Sequence, residues 1–475
     1  MDNKKPQLTS GIVNSYALAN GLNTMAFTVP TLYLNMFMTD YLGINPVALG
    51  TGMLIAKTVD FIVGIVAGII IEKANMKRGK YMSWIRILTA TLFFGNIIQM
   101  LDTTAFVGNS TARLIIVMIG YMMFHCSMNF NATARAALIP KMAGSDMESR
   151  KLITARQGQV AAAVSIIASA TILPIVSFVQ KTTGQDSLGY FIAALLFSTS
   201  FVVCNMIFIK KASVFDPPMA AAEAKKSSPT VKQMVASVVT NKQMLVLFSG
   251  YVFFTVGTQL YAGVLTYFFR VTGNFGKYTL AQTARAICAF LTSMVAPKIG
   301  KRIGKKNALV VGWLVYAAGA LLIWAFGYSS ATQTANITVV IIGMCICQSA
   351  MYLYTVFMAN YYLDCGEYGY ATTGVDNRTM AVTVMNWPTK IGFAVGGSLV
   401  GYSLAWAGYI APDAASGTAG SFQYMNRFMM IVGLIPAICI VIGAVIIFTL
   451  YKLTDAQASE YAKMNAEREA AAKNA

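Results

Sequence analysis

Residues 46–71 read PVALGTGMLIAKTVDFIVGIVAGIII, an apolar run in which Lys57 and Asp60 are the only charged residues. As a helix this stretch would rise about 39 Å, more than the ~30 Å of hydrocarbon that a spanning segment must cross. Residues 83–101 and 430–450 repeat the pattern. Over 475 residues, 56% are hydrophobic and 11% charged, whereas a soluble chain carries roughly 25% charged residues. The sequence therefore reads as an all-α membrane protein of about twelve transmembrane helices. They are expected at 11–38, 46–71, 83–102, 112–140, 150–179, 188–212, 244–270, 277–298, 308–327, 335–363, 379–406 and 426–451. The polar start, residues 1–9, has no cleavable signal pattern.

A formal net charge of +18 raises the possibility of nucleic acid, because basic chains neutralise phosphates. Placement argues otherwise. Of 36 Lys and Arg, 26 fall in one set of alternate loops and the two tails, and 5 in the other set. That is the positive-inside asymmetry. It predicts cytoplasmic N and C termini in a multi-pass protein of the cytoplasmic membrane, with the lipid bilayer and not nucleic acid as its partner. Seven cysteines lie mostly in apolar runs without CxxC spacing, so they read as small buried hydrophobes. No metal site and no cofactor are expected.

The longest polar interruption, 211–243, separates two groups of six expected helices. It divides the chain into a six-helix bundle at 1–210, a central cytoplasmic loop at 211–243, a second bundle at 244–451 and a tail at 452–475. The halves echo each other. Met76, Lys77, Arg78, Gly79 and Lys80 join helices two and three, while Gly300, Lys301, Arg302, Ile303, Gly304, Lys305 and Lys306 join helices eight and nine. Paired basic, glycine-punctuated hairpins suggest a duplicated bundle with a midplane site at the repeat interface, the plan of secondary transporters. A monomer is expected. The tail, with Glu469 and Lys473 four apart, reads as a solvated or interfacial helix.

Charges at membrane depth cost at least ~2.5–3.5 kcal/mol each, so each calls for a reason. Asp60 is the one carboxylate deep inside an expected helix, and Lys57 precedes it by three residues on the same face. This pair reads as a cation-coupling site whose charge depends on protonation; the competing reading is a static salt bridge. Arg135, after the polar run His125, Ser127, Asn129, Asn131 and Thr133, and Lys390, after Asn386, Trp387 and Pro388, are expected to face a water-filled cavity. Arg285 is a further deep cation, and Arg86 is expected to snorkel. With cations outnumbering the one acid, the cavity should be electropositive and suit an anionic ligand, since guanidinium binds carboxylate bidentately. Polar and aromatic groups that suit a sugar ring include Asn20 and Thr24 in helix one and Gln348 and Tyr352 in helix ten, with Trp387. Each is equally suited to gluing helices together.

The run Lys57, Asp60, Gly68, Glu72 and Lys77 to Trp84 resembles the second helix and following loop of the glycoside–pentoside–hexuronide:cation symporter family, melibiose permease-like members of the major facilitator superfamily. Asp364, Cys365, Gly366, Glu367 and Tyr368, followed by Gly374, Arg378 and Lys390, resemble that family's loop between helices ten and eleven. The resemblance implies alternating access and cation-coupled sugar symport. It also implies that Asp60 and Lys57 serve cation coupling, that Arg156 falls on an arginine opening helix five, and that Lys390 links the sugar and cation sites. Residues proposed for the sugar are Arg135, Thr24, Asn131, Arg156, Gln348, Tyr352, Asn386, Trp387 and Lys390. Those proposed for conformational gating are Lys77, Arg78, Gly79, Lys80, Gly304, Lys305, Asp364, Glu367 and Arg378. The chain departs from the pattern in that a second helix-two aspartate is replaced by Gly64, and sugar-holding acids fall on Thr24 and Ala132. One carboxylate beside a lysine is a poor sodium cage, which favours the proton as coupling ion.

The expected function is thus secondary active transport: proton-coupled symport of a sugar or glycoside, with a preference for an anionic hexuronide or glucuronide type. A neutral glycoside or pentoside carrier, sodium-coupled or uncoupled, is the alternative. A solute sensor on the same scaffold is more remote. An enzyme is excluded, because one His, one deep Asp and no HExxH leave no nucleophile–base pair or metal cluster.

Overall fold

Lipid offers no water to satisfy peptide groups, and every long element of the computed structural model is a helix. The structure describes residues 7–74, 76, 78–144, 146–217, 231–376, 378–412 and 419–474. It divides into two compact units, Met1–Ser228 and Pro229–Ala475.

The first unit comprises α1 (Ser10–Met36), α2 (Pro46–Lys73), α3 (Lys80–Gln99), α4 (Ser110–Ala143), α5 (Met147–Thr183) and α6 (Asp186–Ala212). Helix starts are written locally. The Asn45 side chain accepts from the Val47 amide with Pro46 in the first turn, Asn109 accepts from the amide of Thr111, and Asp146 from those of Glu148 and Ser149. The hydrogen bond from the Ser149 hydroxyl, helped by the Glu148 amide, holds the Asp146 carboxyl below its ordinary range. Small residues let α3 and α4 approach closely. A side-chain carbon at Gly95 would lie 2.6 Å from the Phe124 nitrogen, and one at Gly120 2.6 Å from that of Gln99. Tyr16, Ile71, Met82, Ile85, Leu138 and Phe208 form part of the core. Ile55, Ile62, Phe94 and Ile115 stay exposed, as a lipid-facing surface allows.

The second unit comprises α7 (Val231–Val239), α8 (Lys242–Val271), α9 (Phe275–Ile303), α10 (Lys305–Phe326), α11 (Ile337–Thr355), α12 (Met358–Thr373), α13 (Arg378–Thr383), α14 (Trp387–Trp406), α15 (Met425–Met429), α16 (Ile435–Leu450) and α17 (Asp455–Asn474). Two short antiparallel pairs, Tyr328–Ser329 with Thr334–Ala335 and Tyr409–Ile410 with Ser421–Phe422, tie off the α10–α11 and α14–α15 connections.

The structure corrects several expectations. The polar stretch 211–243 is not all loop: α7 occupies part of it and buries Met234 and Val238, while 218–230 lie outside the described residues. The expected loop carrying Asp364 and Glu367 is helical. The tenth helix bends at Val356 and Phe357 and resumes as α12, supported by the Asn241 amide donating to the Cys365 carbonyl at 2.6 Å. The expected helix 379–406 is broken into α13, a 3-10 turn at Val384–Asn386, and α14. Pro388 sits in the first turn of α14, where its missing N–H costs nothing. Among the described residues ten spans are long and apolar enough to cross a membrane, one of them running from α11 through α12. Helices α1 and α14, with 27 and 20 residues, are long enough but fall outside that set.

One device recurs in both units. Gly79 precedes α3 with φ +89°, and Gly304 precedes α10 with φ +82°, a left-handed region that favours glycine. At Gly79 any side-chain carbon would also collide with the Asp216 carbonyl. In the first unit an aspartate just past the sixth helix then caps the third. Asp216 accepts from the amides of Tyr81 at 2.6 Å and Met82 at 2.8 Å, and from the Lys141 ammonium at 2.5 Å. In the second unit Asp455, just past α16, accepts from the Lys305 amide at 3.3 Å and lies 3.5 Å from its ammonium. The Asp216 side chain is fully buried, whereas that of Asp455 is half exposed. Asp216→Ala should therefore cost about 3–5 kcal/mol, because it strands buried donors. Asp455→Ala should cost about 1 kcal/mol or less. Thermal unfolding of the full chain in detergent reads the difference, and equal losses would contradict the assigned asymmetry.

Candidate functional site

The middle of α2 carries the pair singled out from the sequence. Asp60 stands fourteen residues from Pro46 and thirteen from Lys73, so about 20 Å of helix separates it from either end. Both Lys57 and Asp60 are half-buried. The Asn129 side-chain amide of α4 donates to the Asp60 carboxylate at 2.6 Å and also reaches its backbone carbonyl at 3.2 Å. Asn129 belongs to a stripe at four-residue spacing: Tyr121, His125, Asn129 and Thr133. His125 stacks on Tyr121 with centroids 3.8 Å apart, meets Phe27 of α1 edge-on at 5.5 Å, and the Thr133 hydroxyl donates to the Asn129 carbonyl at 2.9 Å. The helix-two acid is thus addressed by a polar face of α4. Asn129 was visible in the sequence only as one of several polar residues; its role follows from helix packing.

Arg135 does not face the water-filled cavity expected for it. It is 2% exposed. Its Nε donates to the Asn131 side-chain oxygen at 3.0 Å, and an Nη donates to the side-chain oxygen of Asn205 on α6. Asn205 in turn donates to the Thr89 hydroxyl of α3 at 2.5 Å, and the guanidinium packs over the Phe208 ring at 5.5 Å. Tyr16 of α1 donates to the Arg135 carbonyl at 3.3 Å. Arg135 and the 2%-exposed Asn131 therefore knit four helices inside the first unit. Thr24 is half-buried, its hydroxyl donating to the Asn20 carbonyl at 3.2 Å. Arg156 is exposed on α5, ten residues into the helix and not at its opening, with Nε donating to the Asn14 side chain at 3.0 Å.

In the second unit Gln348 and Tyr352 are half-buried on α11. The Gln348 side-chain oxygen accepts from an Nη of Arg285 on α9 at 2.7 Å. The other Nη donates to Gln282 at 2.8 Å, and the Gln282 amide donates to the Tyr278 hydroxyl at 2.5 Å. Asn386 is exposed at the end of the 3-10 turn, Trp387 is buried, and Lys390 is half-buried in the first turn of α14.

The gating candidates split into two sets. In the first unit Arg78 is exposed and Lys80 is buried, with its ammonium 5.7 Å from the Tyr81 ring centroid; Lys77 lies outside the described residues. In the second unit Lys305 pairs with Asp364 and Asp455, and Arg378 with Glu367 at 3.4 Å, Asp376 at 2.7 Å, and Glu469 of α17. The hydrogen bonds between Arg378 and Asp376 hold that carboxyl below its ordinary range and raise the guanidinium above its own. Asn465 donates to the Glu367 carboxylate at 2.6 Å and is 1% exposed. The tail helix, expected to be solvated or interfacial, is thus docked on α12.

A family model described as MFS/sugar transport protein matches residues 15–455. The isoprimeverose transporter of Lactiplantibacillus pentosus is 27% identical over 418 residues, 87% of this chain and 83% of that protein. The glucuronide carrier protein homolog of Escherichia coli (strain K12) is 22% identical, covering 96% of this chain and 95% of that protein. Among solved structures, the nucleoside transporter NupG superposes with a TM-score of 0.60 at 13% identity over 93% of this chain and 99% of that one, a likeness of fold.

Arg135→Ala should act through folding. Removing the guanidinium strands Asn131 and Asn205 in a dry interior at a cost of about 2–4 kcal/mol. Thermal unfolding should show that loss, and any residual transport should fall alike for neutral and anionic sugars. A selective loss of anionic substrate at unchanged stability would return Arg135 to the substrate path.

Proposed function

Because this chain belongs to the MFS/sugar transport protein family, a group of multi-pass membrane carriers and not enzymes, we propose that it is a secondary active transporter that moves a sugar or glycoside with a coupling cation by alternating access. The carrying observation is Asp60, a half-buried carboxylate at the middle of α2, held by the Asn129 amide and three residues from Lys57. Its deprotonated form accepts the Asn129 N–H. Protonation removes the negative charge beside Lys57, so the two protonation states stabilise different arrangements of the surrounding helices. That difference in affinity between states is what couples one ligand to another.

The proton is the favoured ion. One carboxylate beside a lysine is a poor cage for sodium, which requires a shell of oxygen ligands. Thr24 in the first unit, and Gln348, Tyr352, Trp387 and Lys390 in the second, supply the hydroxyl, amide and aromatic groups that suit a sugar. Lys305, Asp364, Glu367 and Arg378 form the charged lock of the second unit and are proposed to break and re-form as the carrier changes state. In the second unit Arg285 and Lys390 are half-buried cations inside long helices, which supports an anionic glycoside, and the glucuronide carrier homolog is a relative along nearly the whole length. A neutral glycoside is the second reading, favoured by the higher identity to the isoprimeverose transporter.

Uptake into proteoliposomes, with paired neutral and uronic-acid glycosides under an imposed proton or sodium gradient, tests both readings. One proton per sugar supports at most about tenfold accumulation per pH unit, since each unit is worth ~1.4 kcal/mol. Asp60→Asn should reduce accumulation to simple equilibration while exchange of internal for external sugar persists. Undiminished uphill uptake by that variant would remove Asp60 from the coupling step.

A further inference from the structure

We infer that Arg285 is the specificity-determining residue that grips the acidic group, a carboxylate or sulfonate, of an anionic glycoside; the inference rests on the carrier reading above. The internal repeat is its basis. Asp60 lies nineteen residues before the capping Gly79, and Arg285 lies nineteen before the capping Gly304. Lys57 and Gln282 stand three residues ahead of each in turn. Each group sits on the second long helix of its unit and is held by a side-chain amide from the fourth: Asn129 for Asp60, Gln348 for Arg285. The two repeats therefore present the same frame with opposite charge.

The surroundings of Arg285 orient it without neutralising it. Gln282 donates its amide to Tyr278, which leaves its oxygen for Arg285, and Gln348 offers a second neutral oxygen. Among the described residues no carboxylate pairs with Arg285; its Nε is buried without an acceptor, and each Nη gives one N–H to an amide oxygen and keeps a second. The residue is half-buried, ten residues from the start of α9 and eighteen from its end. About 15 Å of helix separates it from the nearer end. An uncompensated cation at that depth is costly, and a planar fork with donors to spare matches an oxyanion bidentately. Arg135 offers the contrast in exposure: it too keeps one Nη without a partner, but at 2% exposed, with its other groups on Asn131 and Asn205, it is closed to a ligand. The rival explanation is that Arg285 merely fastens α9 to α11.

The test is exchange by the purified full chain in proteoliposomes with 4-nitrophenyl β-D-glucuronide, the matching glucoside, and a 6-sulfonate analogue that separates carboxylate from sulfonate. Arg285→Gln should lower the preference for the acidic sugar over the glucoside on the order of 30-fold, with Arg285→Lys intermediate because it keeps charge without the fork. Thermal unfolding of both variants confirms that folded protein is compared. Equal losses for acidic and neutral sugars would overturn the assignment in favour of the fastening role. Wild-type exchange of glucoside but of neither acid would overturn it while leaving the carrier intact. A folded wild type that exchanges none of the three would remove the carrier reading for these sugars, and this inference with it.

Discussion

A bilayer interior cannot hydrate a peptide group or a charge, so each must find its partner within the protein. That constraint makes the chain helical and, among the described residues, confines strands to two short hairpins between helices. It also explains why amides meet three of the charges that lie inside long helices. Asn129 meets Asp60, Gln348 and Gln282 meet Arg285, and Asn131 and Asn205 meet Arg135. An amide satisfies hydrogen-bonding capacity without cancelling charge. It therefore holds an ionic group in place while leaving its field available.

How far that field is available depends on exposure. Arg135 and Arg285 have similar sequence settings, each an arginine well inside an apolar helix. Arg135 is closed in by α1, α3 and α6 and works as a rivet. Arg285 is half-buried; each arginine keeps one buried nitrogen without a partner, so exposure is what separates them. The same reasoning separates Asp216 from Asp60. Asp216 is buried against two backbone amides and a lysine and serves the fold; Asp60 is half-buried beside Lys57 and held by the Asn129 amide.

Duplication supplies the rest of the economy. In each unit a glycine with positive φ opens the third long helix, and an aspartate just beyond the sixth fastens it. In the second unit that fastening extends through α17, which joins Asp455, Asn465 and Glu469 to Lys305, Glu367 and Arg378. The charged cluster that the sequence suggested as a gate is thus tied to the tail as well as to α12.

Local pattern was enough to determine the membrane class, the basic hairpins, the Lys57–Asp60 pair and the helical tail, because length, charge placement and three- or four-residue spacing are properties of neighbouring residues. The family resemblance carried by Lys57 to Trp84 and Asp364 to Lys390 was legible for the same reason. Tertiary structure alone decided what those residues touch. Asp364 and Glu367 looked like loop residues until Asn241, more than a hundred residues away, was found supporting α12 through the Cys365 carbonyl. Arg135 looked like a cavity residue until Asn205, seventy residues on, closed over it. Burial is a sum over distant neighbours, and no local window of sequence contains that sum.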